Sequence, residues 1–120
     1  MRYPVLLLIF VFAAMSATAQ TEGARVSATV TDVSGAVVIA AECTITDIDT
    51  NISTSTTTNE DGIYVISGLH PATYRLIVEK DGFRTVVQPN LQLYPQDAVN
   101  ENFTLALGLR SESITVYELS

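Results

Sequence analysis

A single stretch, TSTTTNEDGIYVISGLHPATYRLIVEKDGF over residues 54–83, restricts the fold of this chain more than any other part of it. Residues 54–58 are an unbroken run of Ser and Thr, β-prone throughout. Asn59-Glu60-Asp61-Gly62 supplies a turn, with Gly62 where positive φ costs least. Residues 63–66 are short and mostly β-branched, and Ser67-Gly68-Leu69-His70-Pro71 breaks the chain again. Residues 74–79 alternate, and Lys80-Asp81-Gly82 ends the run. Strand, Asp-Gly turn, strand, Gly/Pro corner, strand is the pattern of an antiparallel meander. It specifies a fold and not a reaction.

Charge settles which face of 74–79 is buried. Arg75 and Glu79 share a face with Ile77, so Tyr74, Leu76 and Val78 point to the core; with period 2 the choice is all or none. Residues 63–66 are apolar on both faces, and alternation alone does not orient them.

The rest of the chain continues in the same style. Residues 24–32 alternate, with Val26, Ala28 and Val30 on one face, and Asp32-Val33-Ser34-Gly35 turns. Residues 37–41 are apolar without a period and read as a loop. Residues 42–49 alternate, with Cys43 and Ile45 inward, before a turn at Asp49-Thr50-Asn51. Residues 83–87 and 91–93 read as short strands on either side of Gln88-Pro89-Asn90, followed by a turn at Tyr94-Pro95-Gln96-Asp97. Residues 99–107 form a last long strand, with Phe103, Leu105 and Leu107 inward and Asn100, Asn102 and Thr104 outward. Residues 113–118 are one more strand or the start of a linker. Seven or eight strands separated by Gly, Pro, Asn and Asp turns predict an all-β sandwich.

Residues 1–19 stand apart as a cleavable signal peptide. Arg2 is the positive n-region, residues 5–14 the apolar h-region, and Ala17-Thr18-Ala19 the small-x-small site before Gln20. The apolar run is about ten residues, well short of the ~20 that span a bilayer, so no transmembrane span is expected in the mature chain. Export to the periplasm, the outer membrane or the exterior follows. Residues 20–24 are a short leader, and the remaining hundred or so residues make one domain. Cys43 is the only cysteine, so stability rests on sheet packing without an internal disulfide. After Arg2 is removed with the leader, thirteen carboxylates face five Lys and Arg. Phosphate binding needs the opposite balance, which argues against nucleic acid.

Four strings carry a resemblance: Gly35-Ala36-Val37-Val38, Thr57-Thr58-Asn59-Glu60-Asp61-Gly62-Ile63-Tyr64, Leu69-His70-Pro71-Ala72-Thr73-Tyr74 and Asp81-Gly82-Phe83. Together they are similar to the carboxypeptidase regulatory-like domain, over residues 25–107. The resemblance implies a prealbumin-like, carbohydrate-binding-like Greek-key β-sandwich of seven to eight antiparallel strands, with residues 108–120 as a terminal strand or linker start. It also implies that Tyr64, Ile66 and Leu69 join Tyr74, Leu76 and Phe83 in the core. The chain departs from the family pattern at Ile39-Ala40, where Pro-Gly is usual, and at Ala72, which replaces a Gly. An apolar Ile39 implies a distorted or exposed loop, and Ala72 does not take strongly positive φ at low cost. A domain of this kind behind a signal peptide, ending in Ser-Glu-Ser-Ile-Thr-Val, also resembles the N-terminal extension of TonB-dependent (Oar-like) outer-membrane receptors. No barrel sequence follows Ser120, so the expectation is a stand-alone or truncated relative.

Candidate chemistry is sparse. His70 is the sole histidine, and a zinc site wants three or four ligands. A structural or solvent-exposed role is expected for it. The transthyretin-like hydrolase shares the sandwich, but that resemblance requires several His and a Tyr-Arg-Gly-Ser ending, whereas this chain ends Tyr117-Glu118-Leu119-Ser120. Asp47-Ile48-Asp49-Thr50-Asn51 opens like a calcium loop, and Glu60 and Asp61 sit at a neighbouring turn. The EF-hand pattern nevertheless meets Ile52 where it needs Gly and Thr58 where it needs Glu. Cys43 on an inward strand face reads as a buried small hydrophobe rather than a nucleophile. Lys80, the only Lys, lies in a turn, which argues against the Lys–Asn isopeptide bond of Cna-B-type adhesin modules. Asn51-Ile52-Ser53 and Asn102-Phe103-Thr104 match the glycosylation sequon, without consequence in a bacterial source. Of Tyr64, Tyr74, Tyr94 and Tyr117, only Tyr94, in a Pro-flanked turn, is a candidate ligand contact. The expectation is a non-catalytic exported module with no cofactor, no metal and no catalytic residue, whose partner is a protein or a glycan.

Overall fold

The computed structural model describes residues 23–116, so the signal-peptide reading of 1–19, most of the leader and Tyr117 lie outside the described residues. Nine strands form: β1 Ala24–Asp32, β2 Glu42–Asp47, β3 Ser53–Thr57, β4 Ile63–Leu69, β5 Ala72–Glu79, β6 Thr85–Leu93, β7 Ala98–Asn100, β8 Phe103–Leu105 and β9 Ser113–Thr115. They make two sheets. One has the order β4-β1-β7, with β8 continuing along the same edge of β1; the other has the order β3-β2-β5-β6-β9. Among the described residues no helix is long and apolar enough to cross a membrane.

The alternation read from the sequence fills the space between the sheets. Ala24, Val26, Ala28 and Val30 of β1 are buried, as are Cys43 and Ile45 of β2 and Tyr74, Leu76 and Val78 of β5. Tyr64, Ile66 and Leu69 orient β4 as the resemblance implies, and Phe83 packs, partly buried, against the cluster. Burying a Leu or Ile in full contributes roughly 1.5–3 kcal/mol, so Ile45, Leu76, Leu91, Leu93 and Leu105 form the main apolar mass.

The meander expected over 54–79 does not form. β3 pairs with β2, β4 crosses to the opposite sheet beside β1, and β5 returns to pair with β2. The Asn59–Gly62 turn is a corner between sheets. Asn59 Oδ1 accepts the N–H groups of Asp61 and Ile63, and Gly62 C=O accepts Val30 N–H, which draws the chain to β1. There small and large residues oppose one another, Ala28 against Tyr64 and Val26 against Ile66.

Other departures have local causes. β2 stops at Asp47, whose carbonyl accepts Asn51 N–H in the turn. Thr58 leaves β3 and is buried, its hydroxyl donating to Val38 C=O and accepting Ala41 N–H. β6 runs unbroken through Gln88-Pro89-Asn90 because the β5–β6 register shifts between Tyr74 and Leu76. That bulge accommodates a residue without an N–H. The expected 99–107 strand is split in two: Glu101 N–H bonds Ser27 C=O, and Asn102 Oδ1 takes the Thr29 N–H in place of backbone. Phe103 and Leu105 are buried as expected, but Leu107 is 71% exposed, because the strand has ended and Leu107 only bridges to Phe83. Beyond the antiparallel pairs, β7 and β8 pair with β1 in parallel and β9 with β6 in parallel. The chain crosses between sheets at one end of the sandwich after β6, so β7 starts where β1 starts.

Candidate functional site

Strand direction gathers three connections at one end of the sandwich: the β2–β3 turn, the β4–β5 corner and the β6–β7 turn, beside Gly23 at the start of β1. The most structured group there centres on Asp47. The inward row Cys43, Ile45, Asp47 drives its carboxylate into the core, where it is 2% exposed. Burial of a carboxylate requires donors. Oδ1 accepts the N–H groups of Asp49 (2.9 Å) and Thr50 (3.3 Å), and Oδ2 lies 2.7 Å from His70 Nε2. The Asp49 N–H holds the Asp47 carboxyl below its usual range; burial opposes this, and Thr50 and His70 add to it. An ionised carboxylate only accepts, so the imidazole donates from Nε2. The Tyr74 hydroxyl donates to the His70 carbonyl at 2.6 Å, and the two rings lie 5.9 Å apart. Burial, with the Asp47 charge behind it, pushes the Tyr74 phenol up. His70 is thus a brace between two turns, its imidazole 63% exposed.

Two shallow grooves of ≈ 460 and ≈ 430 Å³ run together around Gly23, Gly68 and Gln96. Arg25, Ser67 and Asp97 line the first; Leu69, His70, Pro71 and Pro95 give the second a mostly apolar wall. Gly23 is required here: a Cβ would come within 2.8 Å of the Gly68 backbone and of the Leu69 carbonyl. Gln96 holds φ 64°, a left-handed conformation for a non-glycine residue, in a turn closed by Asp97 Oδ2 on the Tyr94 N–H at 2.8 Å. Tyr94 is exposed as expected, yet it is not among the residues that line either groove.

The remaining candidates disperse. Glu60 and Asp61 sit in the β3–β4 turn, at the end of the sandwich opposite Asp47, so the two halves of the calcium reading are separated by the length of a strand. Among the described residues no group of three or more His, Cys, Asp or Glu is placed to hold a metal. Cys43 is fully buried, and burial, with a smaller effect of Glu42, pushes its thiol up to about 12. Of the sequon residues, Asn102 is committed to the Thr29 N–H, while Asn51 is exposed at φ 61°. The Asp47–His70 brace and the groove escaped the sequence reading. The brace was legible in part: period 2 from Cys43 and Ile45 carries Asp47 inward, and a buried carboxylate implies a donor. The groove was not, because its walls come from three connections far apart in sequence.

No curated protein matches the chain. Among solved structures, catechol 1,2-dioxygenase of Acinetobacter radioresistens superposes with TM-score 0.58 at 12% identity, over 77% of this chain and 54% of that one. A candidate carbohydrate-binding protein of Bacteroides uniformis ATCC 8492 gives TM-score 0.57 at 16% identity, over 69% of this chain and 41% of that one. The pilus 2b backbone protein of group B streptococcus gives TM-score 0.50 at 23% identity, over 72% of this chain and 42% of that one. The chain therefore spans about half or less of the length of these proteins, and at such identities the likeness is one of fold alone. The model of the carboxypeptidase regulatory-like domain matches residues 25–106, and the chain belongs to that family.

Proposed function

We propose that this chain is an exported, non-catalytic β-sandwich that acts at the cell envelope as an accessory module by contacting a partner protein. The observation that carries the reading is the family match over residues 25–106, which fills most of the sequence behind residues 1–19. The arrangement of its groups agrees: the thiol is buried against the Ala41 carbonyl, and the sole imidazole is committed to bracing Asp47. Residues 1–19 and the likeness to the N-terminal extension of TonB-dependent receptors support the envelope address. Fractionation of the native source with N-terminal sequencing tests it. A mature chain beginning at Gln20 in the periplasmic, outer-membrane or external fraction is expected, and a cytoplasmic chain that retains its first residues overturns the address. Turnover of 5-hydroxyisourate would overturn the non-catalytic part.

A second reading, binding of a glycan, is favoured by one observation: Tyr94 is 63% exposed beside residues that line the apolar groove. Retardation in a polysaccharide gel that falls when Tyr94 becomes Ala supports this reading, and equal mobility of the two proteins removes it.

A further inference from the structure

Among the described residues the sandwich has four open sides, and three are blunted in ways that suppress strand addition. β7, β8 and β9 are three residues each. β4 carries a register shift opposite Gly68, which holds φ 71°, and the side chain and backbone of Asn59 occupy the N–H and C=O of Ile63. β3 has no such guard. Its five residues, Ser53–Thr57, pair with β2 without a register shift and contain neither charge nor Pro. The bonds Asp47 N–H to Ile52 C=O and Thr58 N–H to Ala41 C=O fix the phase of that ladder. Even-numbered residues therefore face β2, and Ser53, Ser55 and Thr57 direct their N–H and C=O groups away from the sheet.

Resting on the interaction reading above, we propose that β3 pairs antiparallel with β3 of a second copy of this chain, about a two-fold axis at Ser55. The strand is self-complementary in that register. Ser55 meets Ser55 of the other copy, Ser53 meets Thr57 and Thr54 meets Thr56, so every cross-strand pair is hydroxyl against hydroxyl and no charge is opposed. Two of the outward hydroxyls are already satisfied, Ser55 with Thr44 at 3.1 Å and Ser53 with Thr46 at 2.7 Å, so pairing strands neither. A five-residue seam falls well short of the ~1,000 Å² of a stable interface, which makes the dimer weak and reversible. The same two-fold brings Asp49 of one copy toward Glu60 and Asp61 of the other at each end of the seam, and these like charges repel, so salt strengthens the association.

Cross-linking of the mature chain tests register and partner together. Opposed hydrogen-bonded residues have Cα atoms about 5.5 Å apart, within the ~4.4–6.8 Å of a disulfide, and buried Cys43 gives little background. Under mild oxidation Ser55→Cys is expected to form covalent dimer at least tenfold faster than Ser53→Cys or Thr57→Cys alone, while an equimolar mixture of those two cross-links. Ser55→Pro removes an outward N–H and the exposed hydroxyl contact with Thr44 but no backbone bond of the β2 ladder; sedimentation equilibrium should find it monomeric where the parent associates, several-fold more strongly in about 0.5 M than in about 0.02 M salt. Equal cross-linking rates for the three single variants, or a parent that stays monomeric at about 1 mM, overturns the proposal. Either result leaves the envelope reading standing, because that reading fails on fractionation alone.

Discussion

Ala40 and Gly62 hold similar backbone angles, φ 58° and φ 72°, with opposite consequences. Ala40 occupies the place where the family pattern has Gly, and the left-handed conformation costs an L-residue about 1–2 kcal/mol. Ala40→Gly, discounted for the extra freedom of the unfolded chain, is expected to stabilise by about 0.5–1 kcal/mol. Gly62→Ala meets the same backbone cost and places a Cβ 2.8 Å from both the Val30 carbonyl and Val37 Cβ; a loss of about 2 kcal/mol or more is expected. Urea denaturation of the two variants against the parent checks both signs. Asp47 sets an acid limit. Its carboxyl titrates below the ordinary 3.8 in the folded state, so it contributes stability that is present above about pH 4 and is lost as pH falls through the depressed value. Asp32, held low by the Ser34 side chain and neighbouring backbone N–H groups, behaves in the same sense. Asp47→Asn is therefore expected to lower the urea midpoint at pH 7 and to flatten, without abolishing, its decline below pH 4.

β5 is the strand on which the second sheet is built, paired on one side with β2 and on the other with β6. Its orientation was legible because Arg75 and Glu79 mark the wet face and leave Tyr74, Leu76 and Val78 to the core. Leu76, fully buried opposite Ile45, is the sharpest probe of that row: Leu76→Ala should cost about 2–5 kcal/mol, whereas Arg75→Ala on the other face should change the urea midpoint little. A large effect at Arg75 and a small one at Leu76 would invert the assignment. β6 shows where strand reading stops. Pro89 reads as a break because it lacks an N–H, yet the strand continues, since β6 bulges there, Pro89 and Asn90 together opposing Arg75, and β9 pairs only with Thr85–Val87. Whether a proline ends a strand depends on what lies opposite it, and no local signal carries that information.

The molecule closes around β6 with a segment beyond the family match. β9 lies along Thr85–Val87, Thr85 Oγ1 donates to Arg110 C=O at 2.7 Å, and the Arg110 guanidinium reaches Glu79 at 2.6 Å and Asp81 at 3.3 Å. All side chains of residues 109–116 are exposed, so this strap adds edge hydrogen bonds rather than core. Removing residues 109–120 takes away the bonds of Thr85 N–H to Glu112 C=O, Thr85 Oγ1 to Arg110 C=O and Val116 N–H to Val87 C=O, and at roughly 0.5–1.5 kcal/mol each is expected to leave a cooperative fold weaker by about 1.5–4.5 kcal/mol. Circular dichroism with urea checks this, and loss of the cooperative transition would give the strap a core role. The all-β class, the inward rows of β1, β2 and β5, the burial of Cys43 and the positive φ of Gly62 were written in the chain, because period 2, turn chemistry and charge act within a few residues of one another. The crossing of β4 to the far sheet, the parallel addition of β7, β8 and β9, the Asp47–His70 brace and the end groove were settled by packing. Each depends on which segments, distant in sequence, fill the same layer, and that choice is made by complementary volumes and by unpaired backbone groups finding partners.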